Sequence, residues 1–166
     1  MTLRRAATAD FAFIRSLTAN PAYAPFIGDD DEAQLSLWST SQTERILIWE
    51  LNEKPAGFAI FREIGNPSGR VELFRLALGQ TDRGQGASFV AALIDYGFGP
   101  LNASGIWLDA SSENARAHQV YLRAGFVQEG RLRAHWYRPI LGRSVDLVLY
   151  GMQREEWQRR VEPHRP

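Results

Sequence analysis

Residues 70–98, RVELFRLALGQTDRGQGASFVAALIDYGF, change character twice, and that change decides the fold class. Arg70 to Leu78 is an apolar stretch that reads as a long strand. Thr81-Asp82-Arg83-Gly84-Gln85-Gly86-Ala87-Ser88 then sets two glycines around one residue, and Gly86 to Phe98 reads as a helix. A strand that passes through a glycine turn into a helix aims backbone N–H groups at one point. The helix N-terminus adds its positive end, which makes a cradle for a pyrophosphate. Phe89 stands where a dinucleotide fingerprint needs its third glycine, and no Gly-Lys-Ser/Thr follows, so neither that fingerprint nor a Walker loop is present.

On the N-terminal side, Leu3 to Ala6 reads as a short strand, and Thr8 or Asp10 can cap a helix with Phe11, Ile14 and Leu17 on one face. Asn20-Pro21 ends it. Asp29 to Glu32 opens a second helix carrying Leu35, Leu37 and Trp38, its acids suited to the positive helix end. Strands 45–51 and 56–64 flank a turn at Asn52-Glu53-Lys54-Pro55. On the C-terminal side, 105–110 is a buried strand, Ser111 or Ser112 can cap a helix from Glu113 to Arg123, and Ala124-Gly125 stops it. VQEGRLRAHWYRPI and SVDLVLYGM pair across Leu141-Gly142-Arg143, and REEWQRR closes as a helix. The order β α α β β β α β α β β α predicts an α/β (α+β) domain, a mixed sheet with helices on both faces. It spans 1–161, with 162–166 a frayed tail.

Composition narrows the classes. A chain of 166 residues fits one domain and can bury a core without staples. Nineteen basic residues balance nineteen acidic ones, so the global electropositive footprint of a nucleic-acid binder is absent. With no cysteine, disulfides, a thiolate zinc site and a cysteine nucleophile are excluded. His118 has no plausible metal partner, and no metal site is expected. No apolar run approaches the ~18 residues of a membrane span, and MTLRRAATADF lacks a signal-peptide core. The expectation is a cytoplasmic protein.

A second motif follows the cradle by about thirty residues: Asn114-Ala115-Arg116-Ala117-His118-Gln119-Val120-Tyr121-Leu122-Arg123-Ala124-Gly125-Phe126. Asn114 and Tyr121 are seven apart, so on a helix they share a face two turns apart and can address one ligand. A first-turn polar residue and a packing aromatic fit the same spacing.

Together the two segments resemble the GNAT superfamily of N-acetyltransferases. The loop is similar to that family's Arg/Gln-x-x-Gly-x-Gly/Ala signature, and the later segment to its Asn-x-x-Ala-x-x-x-Tyr-x-x-x-Gly-Phe element. LRRAATADFAFIRSL resembles the opening strand and helix. GFVQEGRLR, the hairpin and the terminal Glu-Trp resemble the branch that includes ribosomal-protein N-terminal acetyltransferases. The signature departs from the family at one position: Ser88 fills its last small place, or, read two residues earlier, Thr81 replaces Arg or Gln.

The resemblance implies a mostly antiparallel sheet splayed at its centre, strand 70–78 parting from 106–110. It implies that acetyl-CoA lies in the gap, its pantetheine along Leu76, Ala77 and Leu78. Its pyrophosphate would rest on Arg83, Gly84, Gln85, Gly86, Ala87 and Ser88, with Asn114 also on the cofactor. Glu72 becomes a candidate base and Tyr121 a candidate acid at the leaving sulfur. Glu72 also reads as an ion-pair partner of Arg70, Arg75 or Arg62, and a carboxylate in so apolar a strand needs one of these reasons. The acid run Asp29 to Glu32, and His135, Trp136 and Tyr137, read either as acceptor contacts or as helix-terminus and strand surface. The activity implied is direct acetyl transfer to a peptide or protein N-terminus or to a small amine, in a chain that can form a homodimer. The alternative is a catalytically idle module that binds acyl-CoA or a partner.

Overall fold

The computed structural model describes residues 1–79 and 84–162. A seven-stranded sheet runs in the order β1-β2-β3-β4-β5-β7-β6. Its strands are β1 (Thr2–Arg5), β2 (Arg45–Leu51), β3 (Lys54–Arg62), β4 (Arg70–Leu78), β5 (Gly105–Ser111), β6 (Val127–Arg138) and β7 (Arg143–Gln153). All neighbours pair antiparallel except β4 and β5. Helices α1 (Phe11–Thr18) and α2 (Glu32–Thr40) cover one face, and α3 (Gln85–Phe98), α4 (Ala115–Ala124) and α5 (Arg154–Val161) the other. No helix among the described residues is long and apolar enough to cross a membrane.

Strand alternation builds two cores. Leu47, Trp49, Ala59, Phe61, Val71, Leu73, Ile106 and Leu108 pack against α3 and α4, while Ile46, Ile48, Phe58, Ile60 and Ala77 pack against Phe11, Ile14, Leu17 and Leu35. The predicted order of elements is the observed one, with local differences. The first hairpin turns on Asn52 and Glu53 alone, both at positive φ, with Leu51 opposite Lys54, so Lys54 and Pro55 belong to β3. Leu37 is exposed, because on a nine-residue helix it lies about 200° around from the buried Leu35.

Neither Thr8 nor Asp10 caps α1 with its own side chain. Instead Asp10 turns back, accepting the Ala7 N–H at 2.7 Å and the Arg4 guanidinium at 2.7 and 2.9 Å. The Arg4 contact, and then the Ala7 N–H, hold the Asp10 carboxyl below its ordinary range against the cost of burial. Asp10→Ala removes a charge-assisted acceptor from Arg4, which keeps Glu50, and from the Ala7 N–H, and the expected outcome is a loss of about 1–2 kcal/mol in urea unfolding at pH 7. Because the folded pKa is depressed, Asp10's contribution is present above its unfolded pKa and fades as pH falls through the folded one, so wild type and variant converge in acid.

Candidate active site

β4 and β5 pair only over Arg70 to Glu72 against Gly105 to Trp107, and beyond that register they part. The gap opens into a cavity of about 640 Å³. On the β3 side, the Gly79 N–H donates to the Ala56 carbonyl at 2.7 Å, so alternation along the strand turns the main-chain groups of Leu76 and Leu78 into the gap. Gly86, Phe89 and Val90 of α3 and Asn114, Ala117, Val120 and Tyr121 of α4 line the same cavity.

The entry to α3 matches the chemistry of an anion site. Gly84 is the N-cap at φ 89°, a conformation that glycine adopts without strain. The first-turn amides of Gln85, Gly86 and Ala87 have no partner inside the helix. A side chain at Gly86 would project into open space, so the approach to these amides is clear. Arg83, the other residue expected there, lies outside the described residues.

Asn114, and neither Ser111 nor Ser112, caps α4. Its Oδ1 accepts the Ala117 N–H at 3.2 Å, because Ser111 still belongs to β5, opposite Leu147. Asn114 lines the cavity with its carboxamide otherwise uncommitted among the described residues. One turn on, His118 Nε2 meets the Ser111 carbonyl at 2.9 Å and Nδ1 meets the Tyr150 hydroxyl at 2.6 Å. A carbonyl can only accept, so Nε2 carries the proton and Nδ1 accepts from Tyr150. His118 therefore ties α4 to β5 and β7. Tyr121, 6% exposed, packs edge-on against Phe126 and Tyr150, and burial raises its pKa, with Asp109 and Tyr150 adding to the shift.

On the opposite side of the gap, Glu72 is buried and receives Arg62 Nε at 2.8 Å and Nη2 at 2.7 Å, both on Oε2. Of the three arginines its sequence context offered, the partner is Arg62. The Glu72 pKa is raised, by burial first, against the pull of Arg62 and with the charges of Asp109 and Glu63 adding to it. Arg62 and Arg75 stack on the Phe74 ring at 3.5 and 3.8 Å, which takes both faces, since one face has no room for two guanidiniums.

Asp109 is a residue the sequence reading missed. Trp107 and Asp109 alternate with the core residues Leu108 and Ala110, which turns the carboxylate away from α3 and α4 into the cavity. It has no ion-pair or hydrogen-bond partner among the described residues, and its surroundings raise its pKa, burial first, against the opposing charges of Arg75, His135 and Arg62. His135 and Trp136 line the cavity as well, because the β6–β7 register shifts between Leu132 and Trp136, while Tyr137 is exposed.

The acidic run serves the framework. Asp29 accepts Thr18 at 2.7 Å, Asp30 meets Arg75 at 3.4 Å, and Asp31 caps α2 through the Gln34 N–H at 2.8 Å. The connection between α1 and α2 is held from the far side too, by Arg138 donating to the carbonyls of Ala24, Pro25 and Ile27. Tyr23, Phe26 and Ile27 of that strap line the cavity.

Known proteins resemble this chain in sequence and fold. The model of the acetyltransferase (GNAT) family matches residues 11–126. Spermidine N(1)-acetyltransferase of Escherichia coli K12 is 32% identical over 98 residues, 58% of this chain and 52% of that protein, so the match spans about half the length of this relative. An uncharacterized N-acetyltransferase, p20, of Bacillus licheniformis is 29% identical over 124 residues, 74% of this chain and 68% of its own. A crystal structure of spermidine N-acetyltransferase from Vibrio cholerae, in complex with CoA and spermine, superposes with a TM-score of 0.82 at 22% identity, covering 95% of this chain and 97% of that one. At that identity the likeness is one of fold.

Proposed function

Since the chain belongs to the acetyltransferase (GNAT) family, we propose that it moves the acetyl group of acetyl-CoA directly to the amine of a small acceptor. The observation that carries this is the cavity where the sheet splays, with the N-terminus of α3 and Tyr121 on one side and, on the other, a carboxylate that has no partner among the described residues. Acetyl-CoA supplies a thioester: the amine forms the N–C bond, the C–S bond breaks, and coenzyme A leaves.

The chain's own residues do the rest. The edge of Leu76 to Leu78 is free to bond the pantetheine amides, and the amides of Gln85 to Ala87 hold the pyrophosphate, with Gly84 and Ser88 flanking them and Asn114 reaching the cofactor from α4. An amine arrives as ammonium and must lose a proton before it attacks. Asp109 is the proposed acceptor of that proton, because it lines the cavity without a partner among the described residues and its raised pKa suits a base. Glu72, committed through Oε2 to Arg62, stands as the second acid and holds that guanidinium against Phe74. Tyr121, protonated because its pKa is raised, donates to the sulfur as charge develops there. A small acceptor is favoured over a protein N-terminus because the strap, held by Asp30–Arg75 on one side and Arg138 on the other, narrows the acceptor side. The spermidine substrate of the relatives agrees with a small amine.

The direct test is release of free thiol from acetyl-CoA on a panel of amines, beside calorimetry with coenzyme A. Gly86→Val is expected to fold as wild type, since nothing lies within 4 Å of the added Cβ, and to lose at least ~10-fold in coenzyme A affinity as the side chain fills the approach to the α3 amides. Unchanged affinity in a folded variant would move the pyrophosphate elsewhere.

A further inference from the structure

Two opposite charges face the acceptor side of the cavity without meeting. Arg75 is fixed on three sides. Its Nε lies 3.4 Å from Asp30, its guanidinium stacks on Phe74, and its Nη2 side rests against Gly28, where any Cβ would collide with it, which leaves Nη1 the more open of the terminal nitrogens. Among the described residues its two terminal nitrogens have no hydrogen-bond partner, and Arg75 lines the cavity. Asp109 stands on the opposite strand, equally without a partner among them, and each of the two shifts the other's titration. The bulge at Phe74 creates this opposition. Leu73 pairs with Phe61 and Arg75 with Ile60, so Phe74 is the extra residue, and Phe74 and Arg75 both turn toward α1 and α2.

On this face Arg62 is paired with Glu72, and Asp30 spends one oxygen on Arg75. Asp109 is exposed to the cavity and Arg75 is engaged through Nε alone, so among the described residues the carboxylate and the terminal guanidinium nitrogens both keep hydrogen-bonding capacity for a ligand. A ligand with a single positive charge satisfies Asp109 and is repelled by Arg75; a ligand that carries both signs satisfies both. Resting on the acetyl-transfer reading above, we infer that the acceptor is a zwitterionic α-amino acid, its ammonium on Asp109 and its carboxylate on the terminal nitrogens of Arg75. The fork of a guanidinium fits a carboxylate through two parallel hydrogen bonds. Tyr23, Phe26 and Trp136 line the same side and favour an apolar side chain on the substrate. One ammonium proton passes to Asp109, the nitrogen forms the N–C bond as the C–S bond breaks, its second proton goes to the departing thiolate so that coenzyme A leaves as the thiol, and the carboxylate is unchanged. A linear polyamine brings several positive charges to Arg75 and Arg62. A protein N-terminus has no carboxylate one carbon from its amine.

The experiment compares kcat/KM for L-phenylalanine, L-phenylalaninamide, phenethylamine and spermidine by thiol release at saturating acetyl-CoA. L-Phenylalanine is expected to exceed both carboxylate-free analogues by ~10–100-fold, the range for a charge-assisted pair, with spermidine below it. Arg75→Met is expected to bring that ratio to about one. Arg75→Lys, a charge without the fork, should restore part of it. Thermal stabilisation by coenzyme A verifies that each variant folds and keeps its cofactor site. The inference is overturned if an analogue or spermidine matches L-phenylalanine in wild type, or if a folded Arg75→Met keeps the ratio. It is also overturned if no acceptor is acetylated. In that case coenzyme A binding by calorimetry separates a wrong acceptor from a failure of the acetyl-transfer reading itself.

Discussion

Asp109→Asn is expected to lower kcat/KM for the amine acceptor by ~10³-fold, the middle of the range for a positioned base, with little change in coenzyme A affinity. Asparagine keeps the shape and loses the charge and the ability to take a proton. In wild type, kcat/KM should rise with pH as Asp109 ionises, and its pKa lies above that of an ordinary aspartate because burial outweighs the pull of Arg75, His135 and Arg62. The variant should lack that rising limb. Glu72→Gln should lose less, ~10-fold, and keep it, since Glu72 is engaged by Arg62. The opposite ranking would return the base to Glu72. Stability supplies a second readout of opposite sign. A carboxyl whose folded pKa is raised destabilises the fold once pH exceeds its unfolded pKa; because Asp109 is exposed to solvent the effect is small, so Asp109→Asn should melt at or slightly above wild type at pH 7 and converge with it in acid. A variant that is no less stable and yet less active identifies a group retained for chemistry.

Legibility in the sequence followed the range of the interaction. Order and type of elements were readable because apolar periodicity is local: RVELFRLAL is the observed β4, and the helix at GQGASF begins within one residue of its expected place. The glycine turn into α3 and the shared placement of Asn114 and Tyr121 on the cavity were readable because turn chemistry and a two-turn spacing are local too. The cap of α4 was misplaced because β5 continues through Ser111, a pairing decided by Leu147 on a strand far along the chain. Asp109 and Arg75 were invisible as a pair for the same reason. GIWLDA reads as a buried strand, and nothing within it shows that β4 leaves its side after Trp107. The direction of Arg75 depends on one extra residue at Phe74, which breaks the alternation that the sequence alone suggests.

Tyr121→Phe is expected to lower single-turnover acetyl transfer by ~10²-fold at saturating acetyl-CoA. Burial raises the Tyr121 pKa, and the charge of Asp109 across the gap raises it further, so at neutral pH the hydroxyl is a donor and not a base. Phenylalanine retains the ring that packs at 6.0 Å from Phe126 and 5.7 Å from Tyr150, so α4 should keep its seat and coenzyme A affinity should hold within a few-fold. The loss therefore falls on the step in which sulfur acquires charge. A leaving thiol has a pKa of ~8.5 against ~10 for an ordinary phenol, and the raised value for Tyr121 makes full proton transfer more uphill still, which leaves hydrogen-bond donation as its contribution. Steady-state kcat would conceal the effect wherever product release is slower than chemistry, so the measurement is a quenched single turnover. A rate equal to wild type would assign protonation of the sulfur to water and reduce Tyr121 to the ring that holds α4 against β7.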